Sequence, residues 1–227
     1  RCGYEPTQAE IDEHVITHMP FRSRCKHCVM GRAQSPSHYV IKESEKKEQQ
    51  LPVVSIDYMY MKANEGEEIR EDGQPIIVTR DRRSKIVIAH VIEEKGANDY
   101  AIKRLSQDMK LMGYKKIIFK SDNEPAIIAL KQGVRDMTSE MEIMFEESPV
   151  GESSSNGEIE SVIKSVQGMV RTLKSALETR LSQKLMRDSV LVPWLMRHAA
   201  SVMSKYIIGS DGMTAYRRLK GKEFKLS

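Results

Sequence analysis

Three acidic residues stand where carboxylates can do chemistry together. Asp57 lies in the apolar run Leu51-Pro-Val-Val-Ser-Ile-Asp-Tyr-Met59, and Asp122 ends Lys116-Ile-Ile-Phe-Lys-Ser-Asp122. Glu160 sits just inside a helical pattern that opens Ser155-Asn156-Gly157-Glu158-Ile159-Glu160, with Glu158 as the competing acid. Two carboxylates at strand ends and a third on a helix can hold two divalent cations about 4 Å apart against a phosphodiester. Oxygen-only ligands suit Mg²⁺ or Mn²⁺ better than zinc. Taken singly, each acid has a plainer reading, since Asp-Asn-Glu-Pro starts a helix in any protein. Asp57 is the hardest to explain so, because an acid in an apolar strand is costly to bury without a partner.

A second constellation lies at the front, His14-x3-His18-x6-Cys25-x2-Cys28. Histidines four apart share one helix face, and a C-x2-C knuckle completes a zinc site of four protein ligands. Four ligands leave no open position, so one Zn²⁺ here would be structural. His27 and His38 are substitutes, His27 disfavoured by its place inside the knuckle and His38 able to replace His14. The plainer reading is a reduced thiol pair. Arg22, Arg24, Lys26 and Arg32 surround these residues and suit contact with a phosphate backbone.

The elements that must position these groups follow from periodicity. Runs 51–61, 75–80 and 85–93 read as strands, with Asn64-Glu-Gly-Glu-Glu and Asp81-Arg-Arg-Ser as hairpin turns. Asn98 caps a helix to about Met112, ended by Gly113. A strand over 116–121, a helix over 124–137 and a strand over 141–146 come next. Glu147 to Gly157 reads as a mobile loop, with Ser155 or Asn156 capping the helix beyond it. Val162, Ile163, Val166, Val170, Leu173 and Leu177 form that helix's apolar stripe, while Glu160, Lys164 and Arg171 fall on one polar face. A last helix spans about 188–207, with Trp194 packed along it. His90 reads as a satisfied core residue, and Asp72, Asp81 and Asp99 as turn or cap residues.

Charge is unevenly spread in the 227 residues. The net charge is +4, but residues 51–160 hold 15 Lys/Arg against 21 Asp/Glu, whereas 161–227 hold 13 against 4. An acidic middle suits a metal site, and a basic final third suits a polyanion. No stretch of about 18 apolar residues exists, which excludes a membrane-spanning helix. Three cysteines suit a reducing compartment. The start Arg-Cys-Gly-Tyr carries no initiator Met and reads as cut from a longer product.

In this order the motifs resemble the DDE core of retroviral and LTR-retrotransposon integrases. The strand-Asp, the strand-Asp-Asn and then Asn156-Gly157-x-x-Glu160 carry the likeness, with the His-His-Cys-Cys front similar to that family's zinc module. The tail Pro193-Trp194…His198-Ala-Ala…Thr214-Ala-Tyr-Arg-Arg-Leu…Gly221-Lys222 resembles copia-type elements. Glu124 departs from the pattern, since the family usually has glycine after Asp-Asn. Asp122 to Glu158 encloses 35 residues, the family's spacing, but Gly-x-x-Glu is its recurring signature and favours Glu160.

The resemblance implies an α/β fold, an RNase H-like mixed five-stranded sheet flanked by helices and preceded by a small zinc module. The expected divisions are a module over 1–38, a linker over 39–50, a catalytic core over 51–180 and a basic helical extension over 181–227. It implies a polynucleotidyl transferase that trims and joins DNA ends, with Asp57, Asp122 and Glu160 catalytic and Lys164, Arg171 and Asn156 on DNA. It also implies element ends and target DNA as partners, a homo-oligomer, and a nuclear site of action. The competing expectations are an inactive or co-opted DNA-binding module and a nuclease without joining activity.

Overall fold

A computed structural model describes residues 6–31, 51–60, 73–147, 153–186 and 189–225. The chain divides into two compact units, one of residues 34–165 and the other of residues 1–33 with 166–227. Among the described residues no helix is long and apolar enough to cross a membrane.

The first unit is built on a sheet of β1 (Val53–Met59), β2 (Ile76–Asp81), β3 (Val87–Val91), β4 (Lys116–Ser121) and β5 (Glu142–Glu147). Its order is β3-β2-β1-β4-β5. The first three strands form an antiparallel meander, and β4 and β5 join in parallel. Parallel pairing requires crossovers. They are supplied by the helices α3 (Asp99–Met112) and α4 (Pro125–Met137). These are the mixed sheet and flanking helices expected of the RNase H-like class. β1 is central and nearly continuous in apolar residues because both its faces are covered. Leu105 and Met109 of α3 are fully buried, as are Ile127, Leu130 and Val134 of α4.

Local chemistry sets the helix ends. Asn98 accepts a hydrogen bond from the Ala101 amide, and Gly113 closes α3 at φ 72°. Pro125 occupies the first turn of α4, where its missing N–H costs nothing. Asp81 ends β2 fully buried, its carboxylate accepting from the Arg83 and Ser84 amides and from the Tyr114 hydroxyl. His90 is buried against Asp108, Nε2 to Oδ2 2.7 Å, and is a core residue as expected.

The second unit holds α1 (Gln8–Thr17), α2 (Lys26–Gly31), α6 (Leu191–Tyr206), α7 (Ala215–Lys220) and much of α5 (Ser153–Leu181). Thr7 and Glu10 form a capping box at the start of α1. In α5, Val166, Val170 and Leu173 of the expected stripe are buried, together with Met169. Val162 of the same stripe is also buried, on the part of α5 that belongs to the sheet-bearing unit.

Several expectations need correction. α5 begins at Ser153, inside the stretch read as a loop, so Ser155 and Asn156 lie within the helix and neither caps it. His18 is not on the α1 face but caps its end in the left-handed region at φ 51°. Trp194, half exposed, does pack along its helix as expected, stacked on His198 with rings 4.6 Å apart. The turn at 64–68, the linker at 39–50, His38, Arg32 and Asp72 lie outside the described residues, as do residues 148–152 of the expected loop.

Candidate active site

Sheet register brings the two aspartates together. Val53, Val54 and Ser55 pair in parallel with Ile118, Phe119 and Lys120. That pairing ends two residues before Asp57 and Asp122, and Asp122 stands just past the end of β4. Asp57 Oδ1 accepts from the Tyr58 amide at 2.7 Å, and Asp122 Oδ1 accepts from the Glu124 amide at 3.2 Å.

Electrostatics tie the remaining acids to this pair. Burial, opposed by the Tyr58 amide bond and aided by Asp122, Glu124 and Glu160, pushes the Asp57 carboxyl up to about 6. Glu160 is exposed on the first turns of α5. Asp122, Glu124 and Glu160 are therefore all within electrostatic reach of Asp57, and each offers oxygen donors. Oxygen donors suit Mg²⁺ or Mn²⁺, and Asp57, Asp122 and Glu160 would be the groups to hold them. Among the described residues, however, the ligand atoms that converge to metal-holding distance are those of His14, His18, Cys25 and Cys28.

Glu158 faces a different environment. Arg82 Nε donates to its Oε2 at 2.7 Å, Lys85 Nζ lies 3.4 Å from Oε1, and Arg80 Nε 3.9 Å away. Burial pushes Glu158 up, but these cations outweigh it and hold the carboxyl below its usual range.

Sequence reasoning missed two cations. Lys95 Nζ sits 2.8 Å from Glu124 Oε1 and lies over the Tyr58 and Tyr60 rings. Lys131 of α4 is wholly buried, with Nζ 5.0 Å from the Phe145 ring centroid, and burial pulls its ammonium down although Glu147 and Asp122 oppose this. Both partnerships join residues distant in sequence, so no local motif announces them. Lys164 is exposed on α5, whereas the Arg171 Nε is buried without a hydrogen-bond partner. The side chain of Asn156 is outside the described set.

The front quartet converges in the other unit. His14 Nε2 lies 3.5 Å from Cys28 Sγ, and His18 Nδ1 lies 3.4 Å from Cys25 Sγ and 3.9 Å from Cys28 Sγ. All four candidate ligand atoms fall within 4.8 Å of one another. A tetrahedron with Zn–S near 2.3 Å and Zn–N near 2.0 Å has S···N edges of about 3.5 Å. The residues present therefore fit a structural Zn²⁺. Burial, then the His14 and His27 charges, push His18 down to about 4, which keeps it neutral as a ligand must be. His27 is no ligand here: its Nδ1 lies 2.8 Å from Ser175 Oγ of α5.

The tail residues act locally. Thr214 caps α7 by accepting from the Arg217 amide, and Arg218 holds Asp211 through two guanidinium contacts, pushing that carboxyl well down.

No protein-family model and no curated protein matches the chain. Solved structures do. The catalytic core domain of BIV integrase is 18% identical, with 74% of this chain and 92% of that one covered, at a TM-score of 0.50. The HTLV-2 integrase catalytic core domain, solved in complex with magnesium in a trimeric form, is 14% identical over 74% of this chain and 97% of that one, at a TM-score of 0.50. The class is thereby defined by fold: an RNase H-like sheet of the kind found in integrase catalytic cores.

Proposed function

We propose that this chain is an integrase-type polynucleotidyl transferase of an LTR retrotransposon, copia-like, that trims and joins DNA ends. The observation that carries the reading is the parallel register Ser55↔Lys120, two residues before Asp57 and Asp122, with Asp122 and Glu160 both raising the Asp57 carboxyl. Two Mg²⁺ or Mn²⁺ ions, when bound, would activate the attacking hydroxyl or water and neutralise charge on the departing 3′-oxygen. The chain's own residues supply the rest. Asp57, Asp122 and Glu160 would hold the cations. Asp57 must lose its proton to do so, and the bond from the Tyr58 amide favours that ionised form. Exposed Lys164, further along α5, faces solvent where a phosphate backbone can reach it. His14, His18, Cys25 and Cys28 hold one structural Zn²⁺. DNA is the partner, in the form of element ends and target, and joining two ends calls for a homo-oligomer acting in the nucleus.

The test is joining of a labelled duplex end into plasmid with Mg²⁺ or Mn²⁺. Joined product from the wild type, lost in Asp57→Asn, Asp122→Asn and Glu160→Gln, supports the reading. Salt-sensitive DNA binding without any product would point to a co-opted binding module, and cleavage without joining to a nuclease.

A further inference from the structure

Lys95 and Glu124 form a pair that the catalytic reading leaves unused. Lys95 Nζ lies 2.8 Å from Glu124 Oε1, and both side chains are 29% exposed. The same ammonium stands 5.1 Å from the centroid of Tyr58 and 5.4 Å from that of Tyr60. Its loop is pinned, because the Gly96 amide donates to the Tyr58 hydroxyl at 3.0 Å. Gly96 adopts φ 107°, a conformation that side chains disfavour. Tyr58 follows Asp57 in β1, and Glu124 stands two residues beyond Asp122 at the head of α4.

A cluster of carboxylates repels a polyanion at the place where a phosphodiester must come. A fixed cation at its rim offsets that repulsion. Aromatic faces and an ion pair restrict the long lysine stem, so little rotamer entropy remains to be lost on binding.

We propose that Lys95 contacts a backbone phosphate of the bound DNA strand beside the carboxylate cluster, and that Glu124 is its positioning residue rather than a metal ligand. This rests on the integrase-type reading above.

The test compares wild-type full chain with Lys95→Met, Lys95→Arg and Glu124→Gln, each checked for folding by circular dichroism. Binding of a short duplex of fixed sequence is measured in Ca²⁺ across a salt series, and Mn²⁺ affinity by titration without DNA. Lys95→Met should weaken DNA binding about 3- to 10-fold and reduce the slope of log K against log salt by about 0.9. Lys95→Arg should keep the wild-type slope, which also decides the matter if Lys95→Met does not fold. Glu124→Gln should weaken DNA binding about 2- to 5-fold and leave Mn²⁺ affinity within about twofold. An unchanged slope in Lys95→Met, or a lost slope in Lys95→Arg with folding intact, overturns the phosphate contact. A tenfold loss of Mn²⁺ affinity in Glu124→Gln makes Glu124 a ligand and overturns the positioning role, as does unchanged DNA binding in that variant. Wild type that binds no DNA overturns the integrase-type reading together with this one, whereas wild-type binding with an unmoved Lys95→Met slope overturns this one alone.

Discussion

Glu158 is gripped by Arg82, whose Nε donates to its Oε2 at 2.7 Å, two residues before Glu160 on the same helix. The two glutamates thus have different tasks. Glu158 ties α5 to the β2–β3 turn, where Lys85 also approaches it. Glu160 acts on Asp57. Glu160→Gln should abolish joining, a loss of at least about 10²-fold, because a transition-state contact disappears. Glu158→Gln should keep joining within a few-fold and lower stability by about 0.5–1 kcal/mol, the scale of a partly exposed ion pair. Side-by-side strand-transfer assays and thermal melts check both. Loss confined to Glu158→Gln would reverse the assignment.

Asp57 predicts a pH dependence with a definite sign. Its folded carboxyl is pushed from 3.8 up to about 6 by burial and by neighbouring acids. The native state therefore binds more protons than the unfolded chain between these values, and stability without divalent cation falls as pH rises from about 4 to about 6. Asp57→Asn removes the repelled charge. In buffer free of Mg²⁺ and Mn²⁺ it should melt higher than wild type at pH 8, by about 1–3 kcal/mol. The gain should vanish near pH 4. Mn²⁺ affinity of the wild type should rise with pH up to about 6 and level off above it. A flat profile through that window would show that Asp57 does not titrate there.

Much of this was legible before the fold. Apolar runs, helical spacing, the Asn98 and Gly113 caps and Pro125 marked the elements because each acts on its own neighbours in sequence. Asp57 announced itself as an acid where burial is costly, and its raised carboxyl is that cost. What stayed hidden depends on distance along the chain. Lys95 meets Glu124 across 29 residues, and Arg82 meets Glu158 across 76. No local pattern encodes such pairs. The start of α5 was misplaced because Ser-Ser-Ser-Asn-Gly has weak helix propensity, a prior that the long helix overrides.

Asp81 should prove structural rather than catalytic. It is fully buried, and the Arg83 amide, the Ser84 amide and the Tyr114 hydroxyl all donate to its carboxylate. Burial and the Asp81 bond push the Tyr114 phenol well above its usual value, so it stays a donor throughout the working range. Tyr114→Phe removes one donor and should cost about 1–2 kcal/mol. Asp81→Ala strands several buried donors and should cost about 3–5 kcal/mol. Denaturant titration measures both. Joining by Tyr114→Phe should remain near wild type, and a large loss there would give this pair a part in the chemistry.

The His14, His18, Cys25 and Cys28 quartet predicts one bound zinc per chain. Its four ligand atoms lie within 4.8 Å of one another, and Cys25 and Cys28 are free of any disulfide. Removing the metal leaves thiols and imidazoles crowded with nothing between them, so strong chelation should lower the melting temperature and the helical signal of α1 and α2. The effect should also reach α5, because Gly31 of α2 lies so close to Gly168 and Thr172 that a Cβ there would collide with backbone. Gly31→Ala should therefore destabilise the module with zinc still bound, while Cys28→Ser should lose the zinc itself. Elemental analysis of the purified chain, with cobalt substitution to reveal a thiolate charge-transfer band, distinguishes the two. A chain carrying no zinc, and insensitive to chelator, would leave the quartet as a reduced thiol pair beside two buried histidines.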